Sequence, residues 1–415
     1  MTLRCLYSFL VFSVCPPLHA ESESERLDWP QWRGPNRDGS LKKGSPWPKG
    51  ISKETLRLAW REEIGKGYPG PVVSDKLVFT VETRKGKDEI VRAFERTNGK
   101  QAWEAEWKGS MRVPFFAWKN GSWVRSTPAF DGKNLYVGGM RDFLVCLDGE
   151  TGKKKWSVDF MKRYEAPLPA FGFVCSPLVE GDHLYVQAGS GFVKLDKATG
   201  KSIWRALSDK GGMYGSAFSS PTIAKVGEQE QLLVQTRSAL AGVEPQKGKV
   251  LWRQPVKAFR GMNILTPTLF GNGIFTSSYG GKTLMFDLSS DKSGYAVSKK
   301  WENRQEGYMS GPIVIGDFCY MHLRKQRMTC IDMKTGSTRW ISKKSFGKYL
   351  SMATNGKEIL ALDQDGTLYL IEPNPDELVI RESREISKNQ TWAHLALADR
   401  QMFVRELEAI ACYEW

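Results

Sequence analysis

Residues that carry chemistry are scarce in this 415-residue chain, which has four histidines and seven cysteines, no two of the cysteines adjacent. No C-x-x-C-H occurs, which excludes c-type haem attachment. H-E-x-x-H, G-x-S-x-G and G-x-x-x-x-G-K-[ST] are all missing, so zincin, α/β-hydrolase and P-loop chemistry have no motif to rest on. Beyond residue 20 the histidines are His183, His322 and His394, far apart in sequence. They are expected on strand faces or at the surface rather than around a shared metal. Asp363-Gln364-Asp365-Gly366 lacks the distal Glu of a calcium loop and reads as a hairpin turn.

A long hydrophobic run is missing too. The apolar core at 6–14 is too short to span a bilayer. Arg4 precedes it and Pro16, Pro17 and Ala20 follow, so residues 1–20 read as an export signal. Val14 and Pro16 suit a lipid-attachment site at Cys15 poorly, so soluble export to the periplasm or the medium is expected. The five remaining cysteines are an odd set, against a complete disulfide framework. Cys146, Cys330 and Cys412 stand in strand-like LVCLD, MTCID and IACYE and read as buried small hydrophobes. Acidic residues are the minority, 46 against 60 Lys and Arg, and the net charge is +14. That excess suits an anionic or protein partner and carries no sequence-specific nucleic-acid motif. A monomer is expected.

What the chain does have is a repeat. Tryptophan after a Gly-Lys turn recurs as TNGKQAW from Thr97, ETGKKKW from Glu150, ATGKSIW from Ala198, QKGKVLW from Gln246 and, with Ser for Lys, KTGSTRW from Lys334. Trp60 and Trp301 take the same place after altered turns. Successive anchors are 43, 53, 48, 48, 49 and 39 residues apart. Between them recurs a small residue with Pro, a strand, a turn and an aromatic-rich strand. Examples are GPVVSDKLVFT from Gly70, TPAFDGKNLYV from Thr127 and TPTLFGNGIFT from Thr266, with weaker copies at Met352 and His394. Each unit reads as four short strands, with Gly supplying the positive φ of the hairpins. Dividing the span from Trp60 to Trp415 by eight gives about 44 to 45 residues per unit, the size of a propeller blade. The prediction is an all-β, eight-bladed β-propeller of four-stranded antiparallel blades over 58–415. The last unit lacks a fourth strand, and the segment around Leu56 to Trp60 is expected to supply it, removing an open edge.

The (A/D)xxTGKxxW unit resembles the quinoprotein-type, or PQQ-like, propeller repeat. That family includes dehydrogenases using pyrroloquinoline quinone and cofactor-free scaffolds such as the outer-membrane assembly lipoprotein of the BAM complex. The resemblance implies the fold and leaves function open. The dehydrogenases carry a vicinal Cys-Cys disulfide over the quinone, a calcium-binding Glu/Asn pair and a catalytic Asp. The Cys-Cys pair is absent here.

The connections from the outer strand of one blade to the inner strand of the next are long and unlike one another, which is where a propeller places specificity. They are read as 104–124, 157–174, 205–218, 253–265, 302–309, 341–350 and 387–391, with fifteen Lys/Arg against seven Asp/Glu. Trp118, Arg125, Phe171, Tyr214, Arg260, Asn263, Tyr308, Lys348, Tyr349 and Trp392 are the expected ligand or partner face. Two functions follow. One is an exported non-catalytic scaffold with no cofactor and no catalytic residues, docking a protein or an anionic ligand. The other is a quinone- and calcium-dependent dehydrogenase, for which Glu165, Asp209, Glu302 and Glu306 are the available carboxylates.

Before the first blade, residues 21–57 read as a clasp. Its DWPQWRGPNRDGS, residues 28–40, is loop in composition yet holds Trp29 and Trp32. The expectation is that both tryptophans fill apolar gaps between blades, with Arg33 and Arg37 meeting carbonyls or acidic groups.

Overall fold

The computed structural model describes residues 29–209, 211, 217–227, 229–291 and 294–415; the expected export signal and Tyr214 lie outside the described residues. Eight four-stranded antiparallel sheets form the ring. Blades 1 to 7 occupy 72–108, 129–159, 178–206, 222–255, 268–303, 313–341 and 350–385. Blade 8 takes three strands from 396–414, and Arg57–Glu63 completes it by pairing with Ala409–Glu414. The ring closes as the sequence predicts.

Burial follows position in the blade. Middle strands such as Leu77–Arg84 are buried on both faces, because neighbouring blades cover each side. Outer strands such as Gln101–Lys108 show solvent on most positions and bury Trp103. The tryptophan has a specific task. In every blade the outer strand carries a bulge at the residue just before the tryptophan position, as between Cys146 and Leu147 opposite Trp156 and between Lys194 and Leu195 opposite Trp204. The bulge re-aims the ring toward the next blade. There Trp103 Nε1 donates to Gly149 O at 3.0 Å, and Trp60, Trp156, Trp204, Trp301 and Trp340 make the equivalent bond. The ring lies on the turn glycine: a Cβ on Gly152, at φ +71°, would sit 2.5 Å from Trp103. Glycine is required there twice, for its backbone conformation and for its missing side chain.

The strands run on past the tryptophan, although the sequence reading starts the connections at the residue right after it. Outer strands extend to Lys108, Asp159, Ala206, Pro255, Asn303 and Ile341. The connections are shorter by that much, because the bulge lets the ladder continue beyond the ring.

Around the axis the small-residue-Pro motif ties blades together. The hydroxyls of Thr127, Ser176 and Ser220 accept N–H bonds from Gly70, Thr127 and Ser176 of the preceding blade at 3.0, 3.2 and 2.9 Å. Ser310 and Ser351 accept from Leu350 and Leu395. The proline that follows in the motif has no N–H to leave unpaired.

The clasp does more than fill gaps between blades. Trp29 pairs with Val73 in blade 1, Pro30 O accepts from Phe130 in blade 2, and Arg37 reaches Ser176 O and Pro177 O beside blade 3. Arg33 reaches Pro312 O beside blade 6, Leu41 pairs with Thr354 in blade 7, and Trp32 meets His394 before blade 8. Contacts on opposite sides of the ring place this segment in the axial channel. Trp29 is buried as expected; Trp32 is only half-buried, between Arg33, Arg37 and His394, because the axial opening is lined by polar groups. The chain then leaves beneath blade 7, where Glu382 stands at the tryptophan position and accepts the Ile51 N–H at 2.8 Å. Gly50 packs on that carboxylate as turn glycines pack on tryptophan. The clasp thus supplies the turn that blade 8 lacks.

The five cysteines among the described residues are free and buried. His183 and His322 are on strands, but His394 lies in a connection, buried beneath Gly70, against the strand or surface placement expected.

Candidate functional site

The two ends of the ring differ. One carries the repeated Gly-Lys turns; the other carries the connections. At the connection end the aromatics and arginines touch in series. Trp392 meets Tyr68 at 5.8 Å, and Arg125 lies over Tyr68 at 5.2 Å and over Phe171 at 6.0 Å. Phe171 meets Phe116 and Phe218, Arg260 lies over Phe116 and Phe259, and Phe259 continues to Tyr279 and Tyr308. This collar joins all but one of the connections and leads inward to the axial channel.

Of the expected face residues, Arg125, Phe171, Arg260, Tyr308 and Trp392 come together in it. Trp118 stands outward on the 3₁₀ turn Phe115–Asn120, with Lys119 over its ring. Lys348 is exposed beside Tyr349, its N–H held by Gln364. Tyr349 faces Arg33 in the channel and is pushed up to about 12 by burial. Asn263 does not face a ligand. It is buried, and its amide donates to the carbonyls of Thr236, Arg237 and Val256, so it pins a loop. A polar residue in a variable connection looks the same in sequence whether it turns inward or outward.

Charge in the channel is positive. Burial pulls Arg33 and Arg125 below the usual guanidinium range and Arg37 down to about 10. Arg33 and Arg37 are anchored on carbonyls, as predicted. Arg125 donates one hydrogen bond, to Gly121 O at 2.9 Å, and its Nε has none. His394 is pushed down to about 3 by burial and then by Arg33, so it is neutral at physiological pH.

The four candidate carboxylates are not assembled. Glu302 is held by Lys282 and Lys299, Glu306 by Arg324 and the Gly280 N–H, and Asp209 faces Arg237 at 3.8 Å. Glu165 caps the short helix Phe160–Tyr164 from an exposed position. Among the described residues no three His, Cys, Asp or Glu gather as a metal site. The collar offers guanidinium and phenol groups without a carboxylate pair for calcium, so these residues do not fit the quinone–calcium arrangement that the dehydrogenases use.

Sequence reading missed the buried acids at this end. Glu89 accepts Met140 N–H at 2.6 Å and Trp107 Nε1–H at 2.7 Å, joining blades 1 and 2. Asp142 accepts Gly189 N–H at 2.7 Å, joining blades 2 and 3. Burial pushes both up to about 7, against the lowering effect of those bonds. An acid inside a strand or hairpin normally faces water, and nothing local marks these as exceptions.

Known proteins share this architecture. A protein named outer membrane protein assembly factor BamB from Moranella endobia is 20% identical over 355 residues, covering 81% of this chain and 85% of that relative. The crystal structure of BamB from Moraxella catarrhalis superposes with a TM-score of 0.62 at 16% identity, covering 87% of this chain and 98% of that one. Quinohemoprotein alcohol dehydrogenase from Comamonas testosteroni superposes with a TM-score of 0.65 at 13% identity, covering 94% and 81%. Those two likenesses speak for the fold alone. The family described as outer membrane protein assembly factor BamB matches residues 87–342. With that match spanning most of the ring, the chain belongs to the BamB family of PQQ-like β-propellers.

Proposed function

We propose that this protein is an exported, non-catalytic scaffold for assembly at the outer membrane, docking a protein partner on its connection-bearing end. The carrying observation is the continuous aromatic–arginine collar, where among the described residues no three His, Cys, Asp or Glu gather as a metal site. Aromatic and arginine side chains dominate protein recognition, since they combine large contact area with hydrogen-bonding capacity. The names of the relatives support an assembly role.

Photo-crosslinking in cells tests this. Crosslinkers at Phe171, Tyr308 and Trp392 are expected to capture one envelope protein, while those at Lys153, Lys201 and Lys334 in the opposite turns capture none. Equal capture from both ends overturns the docking face. A quinone absorbance that survives desalting, together with dye reduction by alcohols, overturns the non-catalytic reading.

A further inference from the structure

One exposed tip of the connection end is built unlike the rest of the collar. Phe115 is 85% exposed and Trp118 68%, beside exposed Phe116 and Phe259. Half of the exposed large hydrophobics among the described residues thus stand on two connections, from blade 1 to blade 2 and from blade 4 to blade 5, which meet where Arg260 lies over both Phe116 and Phe259. Isolated exposed apolar side chains are ordinary; a contiguous group this exposed marks an interaction surface.

The tip is supported rather than loose. Val113, Ala117 and Val124 of the same connection are buried, and Tyr68 hydrogen-bonds Asn120 O and Val124 O through its hydroxyl and N–H. The inward side anchors the loop and leaves the rings projecting. Both stretches are also free of negative charge: no Asp or Glu occurs from Trp107 to Phe130, nor from Pro245 to Phe286. Arg112, Lys119, Lys257 and Arg260 are exposed around the rings.

We propose that this tip is a membrane-docking element that seats Phe115, Phe116, Trp118 and Phe259 in the interface of an anionic phospholipid bilayer. The inference rests on the connection end being the working end and adds a second contact there. Four rings this exposed, flanked by basic residues and with no acid in either stretch, match the interface of an anionic bilayer. A protein partner would need a matching pocket for each exposed ring, whereas a bilayer interface accepts rings at headgroup depth without matched pockets. The basic residues then lie level with anionic headgroups, which attract each of them within a Debye length.

Sedimentation of the full chain with vesicles tests it, using phosphatidylcholine alone and phosphatidylcholine with added phosphatidylglycerol. Binding is expected only with phosphatidylglycerol and is expected to weaken with salt. Phe115→Ser with Trp118→Ser should reduce partitioning about tenfold or more. Arg112→Glu with Lys119→Glu should do the same, while Lys153→Glu with Lys154→Glu, an equal charge change in the opposite turns, should not. Brominated lipid should quench wild type more than Trp118→Phe, a readout of ring depth. Binding that ignores the tip variants overturns the proposal, whatever its strength. Binding to poly-glutamate through the same residues, without vesicle binding, also overturns it and assigns the tip to an acidic protein. Partner crosslinking from Phe171 or Tyr308 that persists when vesicle binding is absent leaves the scaffold reading standing and removes only the membrane contact.

Discussion

The seam between blades 1 and 2 and the seam between blades 4 and 5 start from similar tryptophans and end differently. At the first, Trp103 crosses to the next blade, bonds Gly149 O and lies on Gly152. At the second, blade 5 has no Gly-Lys turn; its hairpin instead runs out through Thr283–Asp291 and returns through Gly294–Asn303. Trp252 stays within its own blade and donates to buried Gln231 Oε1 at 2.7 Å. Leu288, Tyr295 and Val297 of the long hairpin join the apolar cluster beside it, and Tyr295 bonds Gln229. The tryptophan is therefore half of a lock whose other half is the neighbour's turn. Where the turn is missing, apolar packing takes over. The connection end differs as well: buried carboxylates join blades 1, 2 and 3, whereas Thr276 and Gln235 join blades 4 and 5 through a neutral bond.

The largest break in this comparison should come from Gly152→Ala. Its Cβ would collide with Trp103 at a positive φ, and a loss on the order of 3 kcal/mol is expected in the denaturant midpoint. Gly271→Ala is the contrast in blade 5. At φ +57° with open space around it, that glycine should cost about 1 kcal/mol.

Asp142→Asn separates the two halves of the ring by pH. The native carboxyl titrates near 7, above the value near 4 of an unfolded chain. The native state therefore holds the proton where the unfolded state has lost it. The stability this confers is complete below about pH 4 and is lost as pH climbs through about 7. Asparagine keeps an acceptor for Gly189 without the charge. The variant should have a flatter pH profile and, at pH 8, be more stable by on the order of 2 kcal/mol in thermal or denaturant unfolding. An unchanged slope would assign the pH dependence elsewhere.

Trp103→Phe removes one donor and should cost about 1 to 2 kcal/mol by leaving Gly149 O unpaired. No side-chain change can repair that, because the partner is backbone. Trp252→Phe should cost a similar amount, yet Gln231→Leu added to it should restore much of the loss, since both polar partners are then gone. A double-mutant cycle in urea measures the difference. The smallest effect belongs to Tyr295→Phe, about 0.5 to 1 kcal/mol, because apolar packing and not this hydroxyl holds the fourth seam.

Legibility in the sequence followed the range of the interaction. Thr-Gly-Lys and the tryptophan after it lie within one hairpin, so repetition exposes them however far apart the copies are. Asn263 and Trp32 show the limit. Asn263 was legible as a polar residue in a variable connection, but its three carbonyl partners follow from how that loop folds back. Trp32 was legible as an aromatic needing cover, but its cover is a histidine and two arginines brought together at the axis.

By itself the sequence determined eight blades, the closing strand and the recurrence of a tryptophan after the Gly-Lys turns, because turn chemistry and strand alternation are local and recur; that the ring lies on the next blade's turn glycine is a tertiary result. Only the tertiary structure decided that residues 29–41 occupy the axial channel, that Glu89 and Asp142 are buried as bridges, and that the connections meet in one collar. Those outcomes join groups as far apart as Arg33 and Pro312, 279 residues along the chain. Such pairs share no local pattern. They become neighbours only because a closed ring brings the start of every inner strand to one axis, where each buried polar group must find a partner.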